Sequence, residues 1–443
     1  MGPTSMPEGG LRLPSPEAVR EHVLFSLQRY WPSGQQAVAD LPVRVQSGAG
    51  VDLPLRLVAV RLPEWGRACG VDGHILVPRE ACHAEGEWQE VDWWLAAFLL
   101  LEGWHERIWE DRHGPIHSYS VRLKGWDERV WQHAWVNRIA LFLRLWAAQA
   151  GGNAAEPLFG PLPVPEVLMT HDVDAIAKTV SIRIKQGAFN LVNALRALVR
   201  RDLGAAGARV AQSWRFLFGR EDWWTLDALL GLERRHHLRA RYHFYADRRP
   251  KTPKRWLFDP DYDVASPSVR GFLQRLGVSG AEIGLHPSFD SWQTATSIGE
   301  QKAYLEAAAE RSCTVCRQHW LRFSWHETWR AQDGAGIRED TTLMFNDRPG
   351  LRNASAVAWR PWRAELGATH QLLALPTVIM DSHYYDYRPM TSEARREAME
   401  HWVTECRAVC GQVAVLWHPH TLTMDYGWRE GFEELVAMIA EER

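Results

Sequence analysis

From residue 166 onward the sequence keeps one pattern: a short apolar run of strand length, then a polar or helix-forming stretch, then another apolar run. The runs lie at 167–170, 242–245, 282–285, 314–317, 377–380 and 413–417. Strands that alternate with helices argue for a mostly parallel α/β sheet or barrel. In such folds the C-terminal strand ends form the active face, so the residues placed there matter most. Ionisable residues collect at those ends. The first run enters His171, Asp172 and Asp174; 282–285 enters His286; 377–380 enters Asp381 and His383; 413–417 enters His418. No tandem repeat or low-complexity segment is evident.

The N-terminal part reads differently. Residues 1–150 resemble a small α/β unit with strand-like runs at 41–45, 55–60 and 74–77 and helical stretches at 91–109 and 128–150. In the second stretch Trp131, Trp135, Ile139, Leu143 and Trp146 recur at three- and four-residue steps, as one buried helix face requires. Residues 151–165 are rich in glycine and proline and end in PLPVPE, which predicts an extended linker. A chain of 443 residues exceeds one ordinary core. The expected division is therefore an accessory domain at 1–150, a linker, and a barrel at 166–443.

The barrel segment carries an insertion at 176–220 with helical periodicity (Ala188, Val192, Leu195, Val199), holding nine Lys or Arg and one acidic residue, Asp202. It reads either as a lid over an anionic or lipid-linked sugar at a membrane surface, or as a solvated outer helix pair whose long basic side chains lie over an ordinary core.

Overall charge says little about partners. With 51 basic and 54 acidic residues the net charge is -3, which creates no global field to attract nucleic acid or membrane, so a polyanion-binding role loses ground. The longest apolar runs, such as 93–101, fall short of the roughly 20 residues a membrane span needs. The opening MGPTSMPEGG has neither the basic start nor the apolar core of a secretory signal, and Met6 stands where myristoylation wants Ser or Thr. A cytoplasmic location is expected. Six cysteines do not make a disulfide framework in a chain this long. The pairs Cys313/Cys316 and Cys406/Cys410 would close a zinc site only if the fold joined them, and buried free thiols are the simpler expectation.

The candidate chemistry starts at THDVD, 170–174, where two carboxylates two residues apart follow an apolar strand. Close carboxylates raise one another's proton affinity unless a cation or an arginine compensates. Downstream, GLHPSFDSW places His286 at another strand end, with Pro287 suited to a first helical position and Asp290 one turn on. One imidazole and two carboxylates make a three-ligand open site with room for water. Among 24 tryptophans, Trp292, Trp320 and Trp325 lie near these motifs in sequence and are candidates to line a sugar subsite.

The ordered series THDVD, YHFYA, EIGLHPSFDSW, CRQHWLRFSWHETW and LWHPHT resembles the motif series of the polysaccharide deacetylase (NodB-homology) superfamily. It is most similar to a branch with a long insertion after the first strand, and the resemblance spans 166–428. The stretch DWWLAAFLLLEGWHERIWEDRHG resembles the accessory N-terminal domain that accompanies that branch. The resemblance implies a distorted (β/α) barrel and a metal-dependent hydrolase that removes an N-acetyl or related acyl group from a sugar or glycan precursor. The metal it implies is divalent, zinc first, with cobalt, nickel or manganese as alternatives. By position it makes Asp172 the general base, Asp174 and His286 metal ligands, and His418 the acid that protonates the departing amine, ahead of His420. Arg317 matches the arginine that holds the base ionised, and Asp381 stands where an acid would steady that arginine or the acid histidine. This chain departs from the pattern twice. Its aspartates are spaced D-x-D rather than adjacent, and Asp290 replaces the second histidine of H-x-x-x-H. Either Asp290 ligates in its place or His319 moves in, with a backbone N–H near His319 as a possible oxyanion donor. The same motifs are compatible with hydrolysis of a non-sugar amide or ester, and with a catalytically silent carbohydrate-binding barrel.

Overall fold

A computed structural model describes residues 11–46, 50–84, 86–388 and 390–441. The opening decapeptide, read above for a targeting signal, lies outside the described residues.

Twelve strands are described. β1 (Leu57–Arg61) and β2 (His74–Pro78) form an antiparallel ribbon, and β8 (Trp362–Arg363) and β9 (Ala368–Thr369) a second, smaller one. The other eight are β3 (Glu166–Val173), β4 (Ala240–Phe244), β5 (Glu282–Leu285), β6 (Val315–Cys316), β7 (Glu339–Asp340), β10 (Leu373–Ala374), β11 (Thr377–Met380) and β12 (Gln412–Leu416). They form one sheet in the order β10-β7-β6-β5-β4-β3-β12-β11. β3 to β6 run parallel to one another, as do β7 and β10. Helices Leu226–Arg235, Pro267–Ser279 and Ala295–Ala309 each precede the next parallel strand, because parallel neighbours need a crossover. This is the α/β class with a mostly parallel sheet that the alternating runs predicted, consistent with the distorted (β/α) barrel that the resemblance implied, and all six expected strands are present within a few residues.

The chain forms two compact units interleaved in sequence. One takes residues up to Val167 with Trp320–Ile379 and His401–Val415; the other takes Leu168–His319, Met380–Glu400 and the chain from Leu416 on. The first unit has an aromatic core in which Trp329 packs edge-on against Trp325 and Trp359. Here several local expectations need correction. Residues 41–45 form no strand. The helix expected at 91–109 is two helices, Trp93–Leu101 and Trp104–His113, broken at Gly103. Gly103 is left-handed (φ +53°), and a Cβ there would fall 2.2 Å from the Trp325 ring, so tertiary packing overrides local periodicity. The helix expected from 128 begins at Trp135, after a 3-10 turn at Glu128–Trp131 that the Asp127 side chain caps. The span 151–165 is not wholly extended: Ala155–Phe159 is helical and anchored by the fully buried Phe159.

In the second unit the apolar flank of β3 is buried through Val173. Insertion 176–220 folds as two helices, Val180–Val199 and Leu203–Phe218. Among the described residues no helix is long and apolar enough to cross a membrane. All six cysteines are free, and burial pushes the Cys313 and Cys406 thiols up to about 12. No cysteine joins a metal-competent group among the described residues.

Candidate active site

Strand geometry assembles the site. Side chains two apart on a strand share a face, so Thr170 and Asp172 point one way from β3 and His171 the other. On the far face His171 is bound to Trp417 O (2.7 Å) and Glu233 Oε1 (2.5 Å), and Glu233 also accepts from the Tyr242 hydroxyl (2.6 Å). On the near face, parallel register sets Asp172 beside His243 of β4, and His243 beside Gly284 of β5. His243 Nδ1 lies 3.2 Å from Asp172 Oδ1. Its ring occupies the space that a Cβ on Gly284 would need, since that atom would sit 2.4 Å from the ring. Gly284→Ala is therefore expected to destabilise the protein by about 1–3 kcal/mol through overpacking. A lowered denaturant midpoint with an unchanged slope would register it; an unchanged midpoint would show that the His243 ring yields freely.

Asp172 is 2% exposed. Burial alone would raise its pKa, but His286, Arg317 and His243 outweigh that and hold the carboxyl well below the usual carboxylate range. Arg317 Nη1 reaches both Asp172 Oδ1 (3.3 Å) and the Thr170 hydroxyl (2.7 Å), spanning two same-face positions of β3. His243 is pushed down to about 3 by burial and by Arg317, so it stays neutral beside the ionised carboxylate.

One step beyond β3, Asp174 meets two imidazoles. Asp174 Oδ1 is 3.3 Å from His286 Nε2 and 3.4 Å from His319 Nδ1, and those two nitrogens are 2.8 Å apart. The other nitrogen of each ring faces a carbonyl, Arg317 O for His286 and Phe258 O for His319, both at 2.7 Å. A carbonyl only accepts, so each ring places a proton there and turns a lone pair inward. Asp174 Oδ1 is itself buried without a hydrogen-bond donor. Three electron-rich atoms thus converge, and a positive charge has to stand among them. That charge is either an added proton, which agrees with the raised pKa of His286, or a metal ion. In His286 burial opposes the second proton, and Asp172 and Asp174 favour it more strongly. One carboxylate oxygen and two imidazole nitrogens suit zinc and its first-row neighbours.

Asp290 is not brought to this cluster. Its carboxylate pairs with Lys254 Nζ at 2.6 Å and is nearly half exposed. Pro287 starts no helix, so Asp290 does not stand one helical turn beyond His286. The segment is instead turned by Gln301, whose Oε1 accepts from Ser288 N (2.8 Å) and whose Nε2 donates to the Ser291 hydroxyl (2.7 Å).

On the opposite flank His418 follows β12. Its Nδ1 donates to Asp381 Oδ1 (2.8 Å) and its backbone N–H to Asp381 Oδ2 (2.9 Å), while Thr421 donates to the same oxygen (3.0 Å). Asp381 thus steadies the histidine rather than Arg317. Burial would lower the His418 pKa, but the charge and hydrogen bond of Asp381, with Asp174 behind, hold it up to about 10. His418 Nε2 lies 3.6 Å from Asp174 Oδ2. His420, stacked on Trp223, is pushed down to about 4 by burial and by His418. His383 is buried and turned back onto the chain, accepting from Met380 N (3.1 Å).

The three tryptophans separate. Trp320 is 41% exposed, with a left-handed backbone (φ +57°). Trp292 is buried. Trp325 is a core residue, 1% exposed, its indole donating to Glu106 (2.8 Å), and so has no free face for a sugar. His243, Thr170 and Thr421 were not singled out in the sequence. The first lies inside YHFYA, and strand parity would have pointed to it once the register was known.

The chain is similar to solved polysaccharide deacetylase and CE4-family structures. One is a protein described as a polysaccharide deacetylase from Mycobacterium smegmatis, 16% identical, with a TM-score of 0.36 over 63% of this chain and 85% of that one. Another is a CE4 family pseudoenzyme from Bacillus anthracis, 11% identical, with a TM-score of 0.27 over 63% of this chain and 62% of that one. A third is the Xyl-CE4 domain of a multidomain xylanase from the hindgut metagenome of Trinervitermes trinervoides, 8% identical, with a TM-score of 0.28 over 63% of this chain and 82% of that one. No family model and no curated protein matches the chain.

Proposed function

We propose that the protein is a metal-dependent hydrolase that removes an N-acetyl, or related acyl, group from a sugar or glycan precursor. The observation that carries this reading is the inward convergence of Asp174, His286 and His319 between an ionised Asp172 and a cationic His418. In this reading the machinery lies within 166–443 and residues 1–150 are accessory to it.

A divalent ion held by Asp174, His286 and His319 would supply Lewis acidity to an acyl carbonyl and ease the ionisation of water. Asp172 is the base that takes a proton from the attacking water, because His286, Arg317 and His243 keep it ionised. His418 carries a proton to the departing nitrogen, and Asp381 is a positioning residue that sets its tautomer and keeps it charged. The proton gained by Asp172 and the one lost by His418 balance over the cycle.

The test is acetate release from a panel of N-acetylated sugars, with small amides and esters beside them, in the presence of Zn, Co, Ni or Mn. Release from sugars that stops on chelation is expected. Sugar binding without acetate release under any metal would support a silent binding barrel instead.

The role of Asp381 has its own signature. A group whose charged form is the working acid loses activity as pH rises through its pKa, and Asp381 is what raises that pKa. Asp381→Asn is expected to move the alkaline limb of the kcat/KM profile to lower pH. A lower rate with an unmoved limb would show that Asp381 only supports the fold.

A further inference from the structure

The two insertion helices are assembled inside out. On Val180–Val199 the buried residues are Ser181, Gly187, Asn190 and Ala194; on Leu203–Phe218 they are Ala206, Ser213 and Phe216. The Ser213 hydroxyl donates to Gly187 O (3.0 Å), and a Cβ on Gly187 would fall 2.8 Å from Leu217, so the helices approach closely at a small and a polar residue. Phe216 is buried, but most of the large apolar residues face outward. Val180, Ile184, Leu191, Leu195 and Leu198 form one helical stripe and are 47–71% exposed. Leu203, Val210, Trp214 and Phe218 form a stripe on the second helix, 51–75% exposed. A hairpin built for water alone shows the reverse pattern. Small residues at the helix contact and bulky ones outside are the arrangement that suits lipid.

Charge identifies the occupant of this face. The insertion holds nine of the basic residues and one acidic residue, leaving 42 basic against 53 acidic in the rest of the chain. Arg196, Arg200, Arg201, Arg215 and Arg220 are exposed on these helices or at their ends. A second copy docking hairpin to hairpin would bring an equal set of cations against these, whereas anionic headgroups would neutralise them. Trp214 and Phe218 pack ring to ring at 4.3 Å, an aromatic pair of the kind favoured at a bilayer interface. Neither helix qualifies as a membrane span, so the fitting placement is in the plane of the surface.

We propose that the 180–218 hairpin lies in the headgroup layer of an anionic membrane and holds the protein at its surface. This rests on no part of the hydrolytic reading. The test is flotation of the full chain with vesicles of phosphatidylcholine alone or mixed with phosphatidylglycerol. Flotation with the anionic vesicles only, released by high salt, is expected. Leu195→Glu with Trp214→Glu should reduce it by about tenfold or more, as should Arg200→Ala with Arg201→Ala. Circular dichroism should be unchanged in both variants, since all four side chains are exposed. Absence of flotation with either vesicle, or equal flotation of the folded variants, would overturn the proposal. So would a dimer in light scattering that the apolar variant dissociates while vesicles bind neither form.

Discussion

Asp172→Asn is expected, on the proposed mechanism, to lower acetate release by about 10²–10⁴-fold, the span usual for a lost general base, with metal binding retained. The substitution is isosteric and leaves the three convergent ligand atoms of Asp174, His286 and His319 untouched. It removes the charge that faces Arg317, which is fully buried and also donates to the Thr170 hydroxyl. Removing one partner of a buried ion pair costs about 3–5 kcal/mol. Folding must therefore be measured beside turnover. Metal stoichiometry by elemental analysis, a thermal transition and single-substrate kinetics distinguish the outcomes. A folded, metal-loaded variant with wild-type turnover would remove Asp172 from the mechanism. Loss of metal along with activity would make it a ligand instead.

The second large effect concerns the third proposed ligand. His319→Ala should weaken metal binding by at least about 100-fold, because a direct ligand matters no less than the outer partners whose loss costs 10–100-fold. Asp290→Ala should leave affinity unchanged, since that carboxylate is committed to Lys254. The pair of variants is informative together: both residues were candidates from sequence, and only one converges with Asp174 and His286. Competition with a chelating dye measures both. Equal losses, or a loss in Asp290→Ala alone, would show that the ligand set differs from the one proposed.

The D-x-D spacing illustrates how the site could be read in advance. Adjacent aspartates on a regular strand point to opposite faces, whereas Thr170, Asp172 and Asp174 follow the period of two, and Arg317 meets the first two of these on one face. The departure from the more common motif is thus compatible with a shared site. The choice between Asp290 and His319 was not legible, because it depends on whether the residues after Pro287 form a helix. Hydrogen bonds from Gln301, thirteen residues beyond Ser288, hold them in a turn. The break at Gly103 is of the same kind: local periodicity favours one helix, and the ring of Trp325, more than two hundred residues away, forbids it.

The amino-acid pattern alone determined the alternation of strand and helix, the parallel sheet it requires, and the clustering of acids and imidazoles at the strand ends. These follow from periodicity and from the crossover that parallel strands need, both of which are local. Tertiary structure decided which of those side chains meet. It set His243 against Asp172 by strand register, brought His319 and not Asp290 to Asp174 and His286, gave Asp381 to His418, and turned the apolar stripes of the insertion outward. Each of these depends on pairing between residues far apart in the chain, and no local preference encodes the register or the facing direction of a distant partner.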